Sequence, residues 1–576
     1  MQHNRRWLGG FVMVILAWWA GACTSPVFPG GDDRPGLLEP ALGLPAATRT
    51  PFRPLPPSPT FTLTPTLQFT LTPTQPAQIP LWLDAALPPE FIAGVTVPAA
   101  FRIAPDADAG LLRLAPGGER PVAAWVYALA APFPTLETGV SAAELLRAWR
   151  GEAVGAFSAR RLLLSADTHG MLAAVWGAPG PGPVEVLAAE QLLETAWQRG
   201  DWAILPFERL EPRWTVLEVD SRSPLRKDFD PMGYALTLPI SLAGDPELAA
   251  WALASYGAVD GLVFVPGTNR DPQRLTVLAM TGVTALVRAT AFTMERRGLD
   301  YPAGDVGPLL QAADLTHISN EVAFARDCPP PDPVQQGLRF CSDPRYIGLM
   351  EAVGTDIVEL TGDHLQDWGA EALQYTLDLY AERGWLTYGG GANLAQARQA
   401  LLVEHNGNRL AFIGCNAKGG GFAQAGPNRP GAAACDLDVM QAEIARLRSL
   451  GILPIANFQH FEHYTYRAQA DQQRDFRRMA EAGAVIVSGS QAHQPQAFEF
   501  SGASLIHYGL GNLFFDQFEV SPATRQGFID RHIFYNGQYI GVELIPIVFV
   551  DYARPRLMDA AEREELLHSV FNASGW

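Results

Sequence analysis

Apolar runs of strand length alternate with helix-spaced segments along most of the chain. Between residues 80 and 267, VAAWVYALAAPFP is strand-like and SAAELLRAWRG helical. RRLLLSAD reads as a strand, VEVLAAEQLLETAWQRG as a strand or turn entering a helix, and WAILPFERL and WTVLEVD as strands. Such alternation predicts an α/β fold. Gly267-Thr268-Asn269-Arg270-Asp271-Pro272 is a turn-rich break. Behind it LTVLAMTGVTALVRAT opens as a buried strand running into a turn and helix, so a second α/β domain is expected over 268–576. Within it, VELTGDHLQDWG (Val358 to Gly369) is a strand that stops abruptly at Gly362-Asp363-His364. The chain restarts as a helix from Ala370 to Arg383, with Asp367 expected as its N-cap. YIGVELIPIVF alternates as a strand, and AAEREELLHSVF is a short terminal helix.

The first residues change the picture of where the protein works. Arg5 and Arg6 precede an apolar run from Leu8 to Ala22, which is long for a signal core and short for a membrane span. Ala20-Gly21-Ala22-Cys23 resembles a bacterial lipoprotein cleavage box, with alanine where leucine is usual; the alternative is an uncleaved signal anchor with a chance cysteine. Residues 1–22 are then a signal peptide, Cys23 the lipidated first residue, and the protein an extracytoplasmic lipoprotein on the outer face of the cytoplasmic membrane. Residues 23–79 form an anchor and stalk. They are rich in proline and threonine and contain FTLTPT twice, at Phe61 to Thr66 and Phe69 to Thr74.

The remaining cysteines, Cys328, Cys341, Cys415 and Cys435, fall into two local pairs bracketing proline- or glycine-rich loops. An oxidising compartment favours a disulfide in each, stabilising by roughly 3 kcal/mol. A zinc site competes, but no CxxC spacing supports it. The formal net charge of -18 argues against nucleic acid or a polyanion as a loosely held electrostatic partner, while leaving room for a local basic site.

From Leu275 to about Phe518 the segments resemble, in order, the CapA family, bacterial proteins of poly-gamma-glutamate capsule synthesis. HYGLGNLFFDQ (His507 to Gln517) resembles the family's closing YSLGNFVFDQ. AGAVIVSGSQAHQPQAFEF resembles its GADVVIGHHPHVVQPIEVY, and Gly362-Asp363-His364 stands at its Asn-Asn-His. The resemblance implies a calcineurin-like metallophosphoesterase-type fold, a two-sheet α/β sandwich with metal ligands on loops at strand ends. The carry-over is incomplete. Val283 stands where the family has its first metal-binding aspartate, Gln459 where His-Trp-Gly-x-Glu-Tyr has its histidine, and Ser490 and Gln491 where Gly-His-His-Pro-His has two more. What it implies here is a metal set of Glu321, Asp363, His364, His460, His463 and His493, with His364 and His493 as catalytic candidates and Asn320, Arg288 and Asn512 as substrate contacts. Two ions need a bridging acid and several imidazoles, so one divalent ion, zinc or manganese, or none is expected. Equally, Asp363 and His364 read as a hydrogen-bonded pair that fixes the loop.

Other residues read more plainly. His317 is expected in the core and His405 in an exposed Asn-Gly turn. Gly419-Gly420-Gly421 lacks a phosphate-loop ending and is expected as a disulfide-closed loop over the pocket; Lys418 beside it is a candidate anion contact. The order of elements over 80–267 resembles the two-lobed periplasmic-binding folds, against a small α/β adaptor with no ligand. Three readings follow. One is a CapA-like protein of capsule or surface-polymer synthesis or export, whose partners are the membrane, the polymer and capsule synthesis proteins and whose chemistry is metal-assisted hydrolysis or transfer. The second is a non-catalytic surface protein that binds polymer or solute. The third is solute capture for a transporter.

Overall fold

The strand Leu275–Thr284 is buried at all ten positions, a pattern that suits only the centre of a sheet covered on both faces. In the computed structural model, which describes residues 78–258, 261–418 and 422–576, that is where it lies. It runs parallel to Leu315–Asn320 and antiparallel to Gln526–Tyr535 in a sheet of eight strands. Ile357–Glu359 and Leu386–Tyr388 continue the parallel side. A second sheet of six strands has Asn408–Asn416, Leu453–Gln459, Ile486–Gly489 and Ser504–His507 in parallel, with antiparallel strands at both edges.

The two sheets face each other. Leu278, Met280 and Ile357 from the first pack with Phe412, Ile455 and Leu505 from the second. Helices cover the outer faces: Met294, Met350 and Leu373 seal one, and Ile444, Leu447 and Phe476 the other. Each large apolar side chain so buried contributes on the order of 2 kcal/mol. The result is the expected two-sheet α/β sandwich, with the loops after the parallel strands meeting along one end. Gly362 shows how closely they meet, because a Cβ there would lie 2.6 Å from the Cα and carbonyl oxygen of Glu321.

Before the sandwich, strands from Ile79–Leu83 to Thr237–Gly244 form one ten-stranded mixed sheet. Its long strand Pro121–Pro132 pairs with Thr237–Gly244 along its first half, and with Trp202–Pro206 and Trp214–Val219 along its second. The turn-rich segment 267–272 is a bonded seam between this sheet and the sandwich. Asn269 pairs with both backbone groups of Val126, and its carbonyl accepts from the Tyr535 hydroxyl at 2.7 Å. One apolar core runs from the first sheet through Leu275 and Val277 to Ile533 and Ile540. The described residues, from 78 onward, form a single unit.

Several local expectations change. The helix Ala370–Glu382 starts behind Gly369 and no side chain caps it, so Asp367 has another task, described below. The terminal helix is not short: Ala560–Ser574 has 15 residues, a capping box from Asp559 and Glu562, and Leu567 and Phe571 in the core. His317 is buried as expected, 2.8 Å from the Tyr388 hydroxyl. His405 is half-buried rather than exposed, with Nδ1 3.0 Å from the Thr276 hydroxyl. Both expected disulfides form, Cys328 with Cys341 and Cys415 with Cys435. The signal segment, Cys23, most of the stalk and Gly419 to Gly421 lie outside the described residues.

Two outcomes are expected. Non-reducing digestion and mass spectrometry should find no alkylated thiol at these four cysteines, and Cys415→Ser with Cys435→Ser should cost about 3 kcal/mol in denaturant unfolding. At the seam, Glu208 accepts from the Asn269 amide, and burial, aided by Glu90 and opposed by hydrogen bonds and Arg209, pushes its carboxyl up to about 7. A raised acid binds its proton more tightly folded than unfolded, so stability falls as pH rises from about 4.5 to about 7. Glu208→Gln should therefore stabilise by roughly 1–3 kcal/mol at pH 8 and by little at pH 4, read from unfolding midpoints.

Candidate acid–imidazole–ammonium site

Loops from both sheets bring acids, imidazoles and one ammonium together. Glu321 follows the strand Leu315–Asn320, and Asp363 and His364 follow Ile357–Glu359. Ligand atoms of these three lie within 4.8 Å of one another. From the second sheet, Gln459 ends its strand with its amide 3.2 Å from Asp363 Oδ1 and 3.5 Å from Glu321 Oε1. Lys418 Nζ sits 3.0 Å from Asp363 Oδ2 and 2.5 Å from Glu462 Oε1. Glu462 Oε1 also accepts from the Gln491 amide at 2.9 Å and lies 3.4 Å from His493 Nε2. Asp363 is thus joined to His493 through Lys418 and Glu462.

Both imidazoles are held from behind. His364 Nδ1 donates to Asp367 Oδ2 at 2.6 Å, and the other oxygenward contact of that carboxyl is the Phe340 amide, donating to the same Oδ2 at 2.9 Å. His493 Nδ1 donates to Asn512 Oδ1 at 2.9 Å. Burial opposes charge on each ring. At His364 it is outweighed by the Asp367 hydrogen bond and by Glu321 and Asp363, which hold it at about 9. At His493 the Glu462 contact, then Glu321, wins in the same direction. The acids divide. Burial, with Asp363 close by, pushes Glu321 up; Asp363 is held down because its bond with Glu321, His364 and Lys418 together overcome burial. Contact with His493, over the opposing burial, and then Lys418 hold Glu462 well below the usual carboxylate range.

The expected residues therefore sort into three groups. Glu321, Asp363, His364 and His493 are brought together. His460 and His463 are not with them. His460 Nε2 turns to Asp475 at 3.2 Å, and His463 lies 3.8 Å from Asp471, in a second group on the helix side. Arg288, the Asn320 amide nitrogen and Asn512 are committed to the protein itself, while Asn320 Oδ1 is buried without a partner. Arg288 is bound to Asp516 at 2.5 Å and lies over Phe340 and Phe515, so it is no free anion contact. The Asn320 amide donates to the Val322 carbonyl and the Tyr380 hydroxyl, and Asn512 positions His493.

Val283, Gln459 and Ser490, expected from the resemblance to stand at ligand positions, are held by the protein itself. Val283 lies in an apolar cluster with Ala285, Val287, Val322, Phe340 and Phe515. Ser490 Oγ contacts Gln459 Oε1 at 3.0 Å and the buried Glu359 at 2.9 Å, so two of these residues bond each other. Among the described residues, the cluster on these loops offers Glu321, Asp363 and His364 as ligands. They fit one ion. Glu321 Oε2 is buried without a partner, and His364 is backed by a carboxylate, as metal-binding imidazoles usually are. Glu321, Asp363 and His364 would hold it through oxygen and nitrogen, and a bound ion supplies polarisation of water or of a substrate oxygen. Lys418, Glu462 and Asp367 were missing from the expected metal set. All three are acidic or basic residues of the quoted motifs or of the disulfide loop.

A two-sheet α/β sandwich with acids and imidazoles at the ends of its parallel strands is the architecture expected of a metallophosphoesterase-like fold. Residues 277–517 match the family described as bacterial capsule synthesis protein PGA_cap, and this part of the chain is similar to proteins named CapA. The capsule biosynthesis protein CapA of Bacillus anthracis is 23% identical over 326 residues, 56% of this chain and 77% of its own. The PGA biosynthesis protein CapA of Bacillus subtilis (strain 168) is 23% identical over 227 residues, 39% of this chain and 59% of its own. A phosphatase from Mycoplasma pneumoniae of solved structure is 13% identical and covers 48% of this chain and 94% of its own, with a TM-score of 0.31, too low to carry an argument.

A double-mutant cycle tests the electrostatics. Asp363→Asn leaves Lys418 and His364 short of a buried counter-charge and should cost about 2–4 kcal/mol in urea unfolding at pH 7. Adding Lys418→Met should recover a large part of that loss; strict additivity would show the pair to be uncoupled.

Proposed function

We propose that the protein serves the synthesis or export of poly-gamma-glutamate or a related surface polymer from the outer face of the cytoplasmic membrane. A lipid on Cys23 anchors it, and residues 23–79 hold the body off the bilayer. The family match over 277–517 supports the biological role, together with relatives named for capsule and PGA biosynthesis. The observation that carries the chemical reading is the strand-end site itself. With Val283 in an apolar cluster and Ser490 bonded to Gln459, its ligands among the described residues are Glu321, Asp363 and His364, a set for one ion at most. The cleft then acts in binding the polymer or its synthesis partners rather than in cleaving it.

A second reading, metal-assisted hydrolysis or transfer with one ion, is favoured by the unpartnered Glu321 Oε2 and the Asp367-backed His364. Deleting the gene in its host should lower cell-bound polymer, measured as glutamate after acid hydrolysis. Complementation with Asp363→Ala or His364→Ala separates the readings: restored polymer supports binding, and loss of polymer together with loss of metal-dependent phosphatase activity in the purified protein supports catalysis. Unchanged polymer in the deletion strain would refute both. For the anchor, Cys23→Ala should abolish incorporation of labelled fatty acid and release the protein or leave it unprocessed. Undiminished labelling would sink that part of the proposal.

A further inference from the structure

We infer that Lys418 is the resident cation of the strand-end site, a tethered ammonium that excludes a divalent ion from Glu321, Asp363 and His364. The inference rests on the fit of Glu321, Asp363 and His364 to a single ion, opposes the one-ion catalytic reading for the wild-type chain, and is independent of the polymer role.

Geometry supports it from three sides. Lys418 Nζ bridges Asp363 Oδ2 at 3.0 Å and Glu462 Oε1 at 2.5 Å, so it already holds one of the oxygens that an ion would need. The other Asp363 oxygen accepts from the Gln459 amide at 3.2 Å. Both oxygens are thus taken by donors of the chain, while the neighbouring Glu321 Oε2 is left buried and unpartnered. Two positive centres cannot share this cluster without strong repulsion, because an ion bound to Asp363 would lie within a few ångströms of the ammonium.

The backbone places the lysine. The Ala417 amide donates to the Gln459 carbonyl at 2.8 Å, pinning the loop to the end of Leu453–Gln459, and Cys415 just before it is tied to Cys435. The residue type also fits. Of the chain's 42 lysines and arginines only two are lysines, Lys227 and Lys418. An ammonium is a compact point charge that can stand where an ion would, whereas a planar guanidinium demands paired, in-plane acceptors.

The test is titration of purified, chelator-treated full-length protein with manganese(II) or zinc(II) alone, read by calorimetry and by loss of the free manganese EPR signal. Lys418→Met should bind close to one equivalent at least tenfold more tightly than the wild type. Lys418→Met with Asp363→Asn should lose that gain. Equal affinity in wild type and Lys418→Met would overturn the inference. So would absence of binding in a Lys418→Met protein whose thermal unfolding matches the wild type. Lys418→Gln replaces the methionine variant if the latter does not fold. Failure of the polymer proposal would leave these affinities unchanged, so the two stand or fall separately.

Discussion

Buried charge has to be balanced, and that constraint organises the end of the sandwich where the strand loops meet. An unpaired carboxylate or ammonium in such a place costs several kcal/mol. Here Asp363, Glu462 and Asp367 face His364, His493 and Lys418, with Glu321 pushed toward its neutral form by burial. The balance is reached by the chain's own groups. Two buried sheets can bring their polar loop ends within hydrogen-bond distance only because the charges on those ends cancel.

The same constraint explains how the residues around these loops satisfy one another. A polar group added or removed alone would strand its neighbours as uncompensated buried groups. In this chain the aspartate position is closed by Val283 among six apolar residues. The histidine positions hold Gln459 and Ser490, which contact each other and reach down to Glu359. Ser490 has one hydroxyl proton but faces three acceptors, Glu359, Gln459 and the Phe458 carbonyl. Burial pushes Glu359 up, and a protonated Glu359 relieves that excess of acceptors. Polar networks of this kind are stable only when satisfied throughout.

Much of this was legible along the chain. The continuous apolar strand from Leu275, the two local cysteine pairs and the order of the strand-end motifs are properties of short windows, and they folded as read; Gln538–Phe549 is a strand as expected, but its burial does not alternate. Directions at single positions were harder. Gln459 and His460 are neighbours on an extended chain, where successive side chains point to opposite faces. With Gln459 turned into the site, His460 must turn toward the helix Ala470–Glu481, and it meets Asp475 there. That much was available from alternation. The place of Lys418 was not, because it depends on how a disulfide loop crosses from one sheet to an acid on the other, 55 residues away in sequence. Asp367 was misread for a related reason. Its sequence position suits a helix cap, but His364 one turn earlier and the Phe340 amide compete for the same carboxylate, and they win.

The closing motif HYGLGNLFFDQ, which carries the resemblance most strongly, turns out to act mainly on the architecture. Asn512 fixes the ring of His493, and Asp516 binds both the Arg288 guanidinium and the Ala289 amide at the start of the helix Arg288–Arg297. Gly511 lies so close to the central strand that a Cβ on Gly282 would sit 2.0 Å from its carbonyl oxygen. These contacts lock the segment against Leu275–Thr284 whether or not any ion is held nearby. The fold alone is therefore sufficient reason for a chain to carry this motif. Retention of the motif argues for where the site lies and how its loops are held, and the chemistry has to be argued from the charges that remain there.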